Sequence, residues 1–99
     1  MKQGKKAIDK NLERMKLTSD LLLKGEIKVF QSLFIYSNRT YVAQMLGMNY
    51  KRLGLLSKNP DSLRVREIIA IARLFKVPAL VISEIILNQL EKNSIKSKK

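Results

Sequence analysis

The stretch Arg39–Lys58, RTYVAQMLGMNYKRLGLLSK, limits what this chain can fold into more than any other. Ala43 is small where two crossing helices would approach closely. Gly47, four residues on, offers a turn position with no Cβ to oppose a positive φ. Leu53 and Leu56 lie three apart, on one side of the following helix, and can point back toward Val42 and Leu46. Asn49 follows the turn and can cap that helix by accepting from a free backbone N–H. The spacing predicts two short helices joined by a tight turn, a helix-turn-helix.

With Leu53 and Leu56 turned inward, the outward residues of the second helix are Asn49, Tyr50, Lys51 and Leu55, with Arg52 toward the flank. A helix of that width fits the DNA major groove, with its N-terminal residues at the base edges. Hairpins of this kind also occur in all-α proteins that never meet DNA, so the charge pattern has to be weighed. From Ile27 to Pro60 there is no acid, while Lys28, Arg39, Lys51, Arg52 and Lys58 supply five positive charges. A solvated face usually mixes signs; one sign alone favours a polyanion.

The whole chain of 99 residues has the same bias: 20 Lys and Arg against 8 acids, a formal charge of +12. That length suits one domain with one small core. The balance favours nucleic acid or an anionic surface as partner. Without cysteine there is no disulfide, and without histidine no imidazole ligand or His-dependent triad. The eight acids are scattered, so no catalytic constellation assembles, and neither an enzyme nor a cofactor is expected. No apolar run approaches the roughly 18 residues of a membrane span, and MKQGKKAIDK lacks the apolar core of a signal peptide. The expectation is a cytoplasmic protein with no membrane contact.

Around the hairpin the chain divides into a basic arm, 1–17, a helix-turn-helix domain, 18–92, and a basic tail, 93–99. The arm is expected to be partly helical or disordered, with Ile8, Leu12 and Met15 as its one apolar stripe, and the tail disordered. Ser19 and Asp20 resemble a cap before Leu21–Leu23, which Gly25 would end. A helix over 28–36 would turn Phe30, Leu33 and Phe34 inward; the same aromatics could serve as a stacking platform for single strands, though their helical spacing favours core. Ser37 and Asn38 cap the first motif helix. Beyond Pro60, Ser62 would cap a helix over 63–76 with Val65, Ile68, Ile69, Ala72 and Phe75 on its apolar face.

The last helix, 79–92, is apolar on more than one face. Leu80, Ile82, Ile86, Leu87 and Leu90 are candidates for a surface between two copies of the chain, with burial against the N-terminal arm the competing reading. The fold class expected is all-α, a compact bundle of about five short helices.

Residues 38–82 resemble the lambda-repressor-like helix-turn-helix domains, the Cro and phage-repressor type. The resemblance rests on TYVAQMLGMNYKRLGLLS, then SLRVREIIAIARLFKVPALVI after a short loop, with Leu74-Phe75-Lys76-Val77 closing the helix beyond the hairpin. It implies that Arg39, Tyr50 and Lys51 sit where such domains place groove contacts, and that Leu55 meets a thymine methyl. It also implies that Lys58 and Asn59 grip the phosphate backbone. Asn49 completes the candidate base-contacting set; Lys28, Thr40 and Arg52 complete the phosphate-contacting one. Many such repressors carry glutamine where this chain has Arg39 and Tyr50, so no target sequence carries over. The function expected is sequence-specific binding of double-stranded DNA by a small dimeric transcriptional regulator. The competing class is a protein-interaction module, resembling an antitoxin, that docks a protein partner through its last helix; a nonspecific or RNA-binding role through the basic tails is a third.

Overall fold

The computed structural model describes residues 2–97, with side chains described for 10–94. Among these residues there are six α-helices and no strand: α1 (Lys2–Leu23), α2 (Leu33–Tyr36), α3 (Arg39–Leu46), α4 (Tyr50–Lys58), α5 (Val65–Phe75) and α6 (Ala79–Ser97). Two 3₁₀ turns, Phe30–Ser32 and Pro60–Ser62, precede α2 and α5. The all-α bundle expected from the sequence is the fold observed.

α1 runs unbroken through Ser19 and Asp20, which therefore cap nothing. The reason lies in the face that turns inward, Met15, Thr18 and Leu22, spaced at helical intervals across the supposed break. The stripe expected to include Leu12 is displaced, for Leu12 is exposed; Ile8 lies outside the described side chains. Thr18 Oγ1 donates to the Arg14 carbonyl at 2.8 Å and lies 2.6 Å from Ser37 Oγ, both residues being fully buried. Because the Thr18 hydrogen is spent on Arg14, Ser37 is the donor of that second bond. No break in secondary structure marks the expected arm boundary after 17 or the tail boundary after 92, since both fall inside helices.

α1 ends at Leu23 and is closed by Gly25, whose φ of 74° lets Gly25 N–H reach the Leu22 carbonyl and Glu26 N–H the Leu21 carbonyl. The helix expected over 28–36 is a short extended segment, one 3₁₀ turn and the single turn α2. Phe30 and Leu33 are buried, and Phe34 packs edge-on against Phe30 with ring centroids 5.6 Å apart. Phe30 and Phe34, considered for stacking, belong to this cluster, and Phe30 is wholly inside it.

α5 begins at Val65, not 63, and Ser62 sits in the preceding 3₁₀ turn; the Glu67 carboxylate serves as the cap, accepting from Arg64 N–H at 2.9 Å. Its buried residues are Ile71, Ala72 and Phe75. Val65 and Ile69, expected inside, are exposed; the face α5 turns inward is Ile68, Ile71, Ala72 and Phe75. α6 packs chiefly on α5 and turns Ile82, Ile85, Ile86 and Gln89 inward, a single stripe with period near 3.6. Ile82 and Ile86 thus belong to the chain's own core and are removed from the candidate subunit surface. Leu90 is half-buried against that core, leaving Leu80 and Leu87, 79% and 61% exposed. No helix among the described residues is long and apolar enough to cross a membrane.

Candidate nucleic-acid interface

The α3–α4 hairpin is built as its spacing implies. Val42 and Leu53 are fully buried, Ala43 and Leu56 nearly so. Asn38 and Asn49 cap the two helices, their side-chain oxygens each accepting at 3.1 Å from Tyr41 N–H and Arg52 N–H. Gly47 takes φ 66° and Met48 N–H returns to the Ala43 carbonyl at 2.9 Å, closing α3. A hairpin pinned at both caps and at its turn gives α4 a fixed direction.

The outward face of α4 follows from that. Tyr50, Lys51 and Leu55 are exposed, Leu55 at 71%. Asn49 is exposed as well; its oxygen already accepts the cap bond, and its amide N–H₂ is the donor left for a partner. Arg39, the first residue of α3, lies across this face. Its Nη2 donates to Tyr50 Oη at 2.8 Å, and its Cζ stands 4.7 Å from the Tyr50 ring centroid.

Arg52 departs from its expected role as a free phosphate contact. Its Nη2 meets both Glu67 carboxylate oxygens, at 2.8 and 3.0 Å, tying α4 to α5. Burial raises the Glu67 pKa, but the Arg64 backbone N–H and the Arg52 guanidinium more than offset it, so the net shift is downward. Between its folded and unfolded pKa values Glu67 holds fewer protons folded than unfolded. Its contribution is therefore present above the unfolded pKa and is lost as pH falls through the lower folded one. Melting temperature is expected to decline on acidification below the ordinary glutamate range, and Glu67→Gln to flatten that decline; an unchanged profile in this variant would remove the pair from the account.

The other phosphate candidates fall in two places. Thr40 is exposed on the first turn of α3. Lys58 and Asn59 are exposed where α4 ends, beside the Pro60 turn. Lys28, 30 residues earlier, is drawn to the same end of the molecule by α6. Asn88 Nδ2 donates to the Lys28 carbonyl at 2.9 Å. Its neighbour Gln89, itself buried, donates through Nε2 to the Ser57 and Lys58 carbonyls at 2.8 and 3.1 Å and accepts at Oε1 from Gln31 N–H at 2.7 Å. Asn93 Nδ2 adds a bond of 3.2 Å to the Lys58 carbonyl. Gln89 and Asn93 thus satisfy last-turn carbonyls of α4 that an α-helix cannot satisfy itself.

Sequence reasoning passed over Asn88, Gln89 and Asn93; three amides on an otherwise apolar helix were the available signal. It also passed over Gly54, in mid-helix against helix propensity. A Cβ built there would lie 3.5–3.7 Å from the Arg39 guanidinium, so Arg39 rests where a side chain of α4 would otherwise stand.

Comparison of the chain with family models, with curated proteins and with solved structures finds no match.

Proposed function

We propose that this chain binds double-stranded DNA in a sequence-specific manner, as a small dimeric transcriptional regulator that inserts α4 into the major groove. The observation that carries the reading is the outward face of α4: Tyr50, Lys51 and Leu55 exposed together, with Arg39 laid over Tyr50 and no acid anywhere from 27 to 60. Base-edge contacts would come from Lys51 to guanine O6 and N7 and from Leu55 to a thymine methyl. Lys28, Thr40, Lys58 and Asn59 would hold phosphates, which fix register without reading sequence.

Selection of bound sites from random duplex DNA tests this directly. A palindromic consensus with half-sites about one helical turn apart supports it; failure to enrich any sequence overturns it. On an enriched duplex, Lys51→Ala is expected to cost about 1–3 kcal/mol and to relax choice at one base pair. Lys58→Ala is expected to weaken all duplexes alike and to reduce the salt slope by about one. With Arg52 withdrawn by Glu67, Lys28 and Lys58 are the cationic phosphate contacts of each copy and contribute a slope of about −1.8 per copy in log affinity against log salt. Equal weakening of every duplex by Lys51→Ala would mean that α4 grips DNA without reading it.

Pairing of two copies rests on Leu80 and Leu87, seven residues apart on α6 and both exposed. The same two leucines serve the competing reading, a module docking a second protein. Light scattering of the purified chain separates them: twice the monomer mass favours the homodimer, whereas a monomer that co-purifies with a different polypeptide favours the module.

A further inference from the structure

The geometry points to Arg39 and Tyr50 acting as one unit that selects a guanine, its guanidinium resting against Gly54 in space that a long side chain there would take; this rests on the DNA reading above. Three observations place the unit. The Arg39 guanidinium is bonded to the Tyr50 hydroxyl and leans over its ring. Its Cζ, Nη2 and Nη1 lie 3.5, 3.6 and 3.7 Å from the Cβ position of Gly54, one turn beyond Tyr50. Its Nε is buried without a hydrogen-bond partner. A buried, unpaired donor is disfavoured, so the conformer is held by the Tyr50 contact and by the space over Gly54, not by local satisfaction. In effect α3 lends α4 a charged side chain at a position where α4 has none.

The chemistry follows from counting hydrogens. A phenol has one hydrogen and accepts through its oxygen. Alone, Tyr50 could accept from the amine of adenine or cytosine as readily as donate to an acceptor. With its oxygen already accepting from Arg39 Nη2, Tyr50 has its hydroxyl hydrogen to give, and Nη1 of the same guanidinium carries further N–H donors. The unit thus offers chiefly donors. In the major groove guanine alone presents two adjacent acceptors, O6 and N7; adenine sets an N6 amine beside N7, thymine a methyl beside O4, and cytosine an amine. Arg39 is accordingly a positioning residue for Tyr50 as well as a donor in its own right. The pair should read one guanine in each half-site.

A double-mutant cycle with chemically altered DNA tests the unit. The probes are a labelled duplex enriched by the wild-type chain and the same duplex with each guanine replaced in turn by 7-deazaguanine, which lacks the N7 acceptor. Replacement of the guanine read by the pair is expected to weaken the wild type about tenfold, apart from the separate loss at the guanine assigned to Lys51, which should persist in Tyr50→Phe and Arg39→Ala. Tyr50→Phe and Arg39→Ala should each abolish sensitivity to that replacement, and the double variant should bind no more weakly than the worse single one. Gly54→Met, which touches neither partner chemically, should displace Arg39 and give the same loss of sensitivity while the melting temperature stays near the wild type. Losses that multiply in the double variant would make the residues independent and overturn the unit. So would equal weakening of every duplex by both variants, which would assign the donors to a phosphate. A wild type that enriches no sequence takes the DNA reading down and the unit with it. Enrichment with no guanine sensitive to Tyr50→Phe removes the unit alone.

Discussion

Ile86→Asp is expected to unfold the protein, and Leu87→Asp, one residue along, to leave it folded. Ile86 is 5% exposed within the cluster that includes Phe30, Phe75 and Ile82, whereas Leu87 is 61% exposed. Aspartate at 86 loses the transfer free energy of a buried isoleucine and places a carboxylate inside an apolar cluster. The combined cost is about 5 kcal/mol or more, comparable to the whole stability of a domain this small. At 87 the carboxylate stays in water, and only an apolar contact made with a second molecule could be lost. Circular dichroism should therefore show a melted Ile86→Asp at room temperature and a helical Leu87→Asp. Light scattering should then show Leu87→Asp at half the mass of the wild type. A Leu87→Asp chain that keeps the wild-type mass would exclude this face from pairing, and a cooperatively folded Ile86→Asp would contradict the packing of α6.

Gln89→Leu should lower stability by about 2–5 kcal/mol despite keeping the volume and adding apolar surface. Leucine can neither accept from Gln31 N–H nor donate to the Ser57 carbonyl, and each buried group so orphaned costs about 1–3 kcal/mol. The Lys58 carbonyl keeps its bond from Asn93, which is why the loss stops short of three groups. A fall of at least about 10 °C in melting temperature is the expected readout. The Gln31 amide should also lose its protection from hydrogen exchange, since its acceptor is gone. A variant as stable as the wild type would mean that the amide does not hold the end of α4.

The hairpin was legible because its information is local. Ala43, Gly47, Asn49, Leu53 and Leu56 span 14 positions, and caps, a left-handed turn and helical spacing are all short-range rules. The basic, acid-free stretch was legible for the same reason. Which basic side chains remain available was not. Arg52 and Glu67 are 15 residues apart, and a sequence read by charge alone counts both as surface. Arg39 and Tyr50 are 11 apart, and their bond depends on the crossing of α3 and α4 over a glycine.

The last helix separates the two kinds of knowledge most clearly. Its apolar character from Leu80 to Leu90 is a property of the sequence, as is the all-α class to which it belongs. Which of those residues the core takes is decided by rotation about the helix axis, and that rotation is set by what α6 must satisfy as well as by what it must bury. Gln89 has to reach Ser57, Lys58 and Gln31, which are 32, 31 and 58 residues away. Meeting those bonds turns Ile82, Ile85 and Ile86 inward and leaves Leu80 and Leu87 in solvent. The pattern of apolar residues determines that a helix must pack; the long-range partners, apolar and polar, brought near by the fold, determine how it is turned.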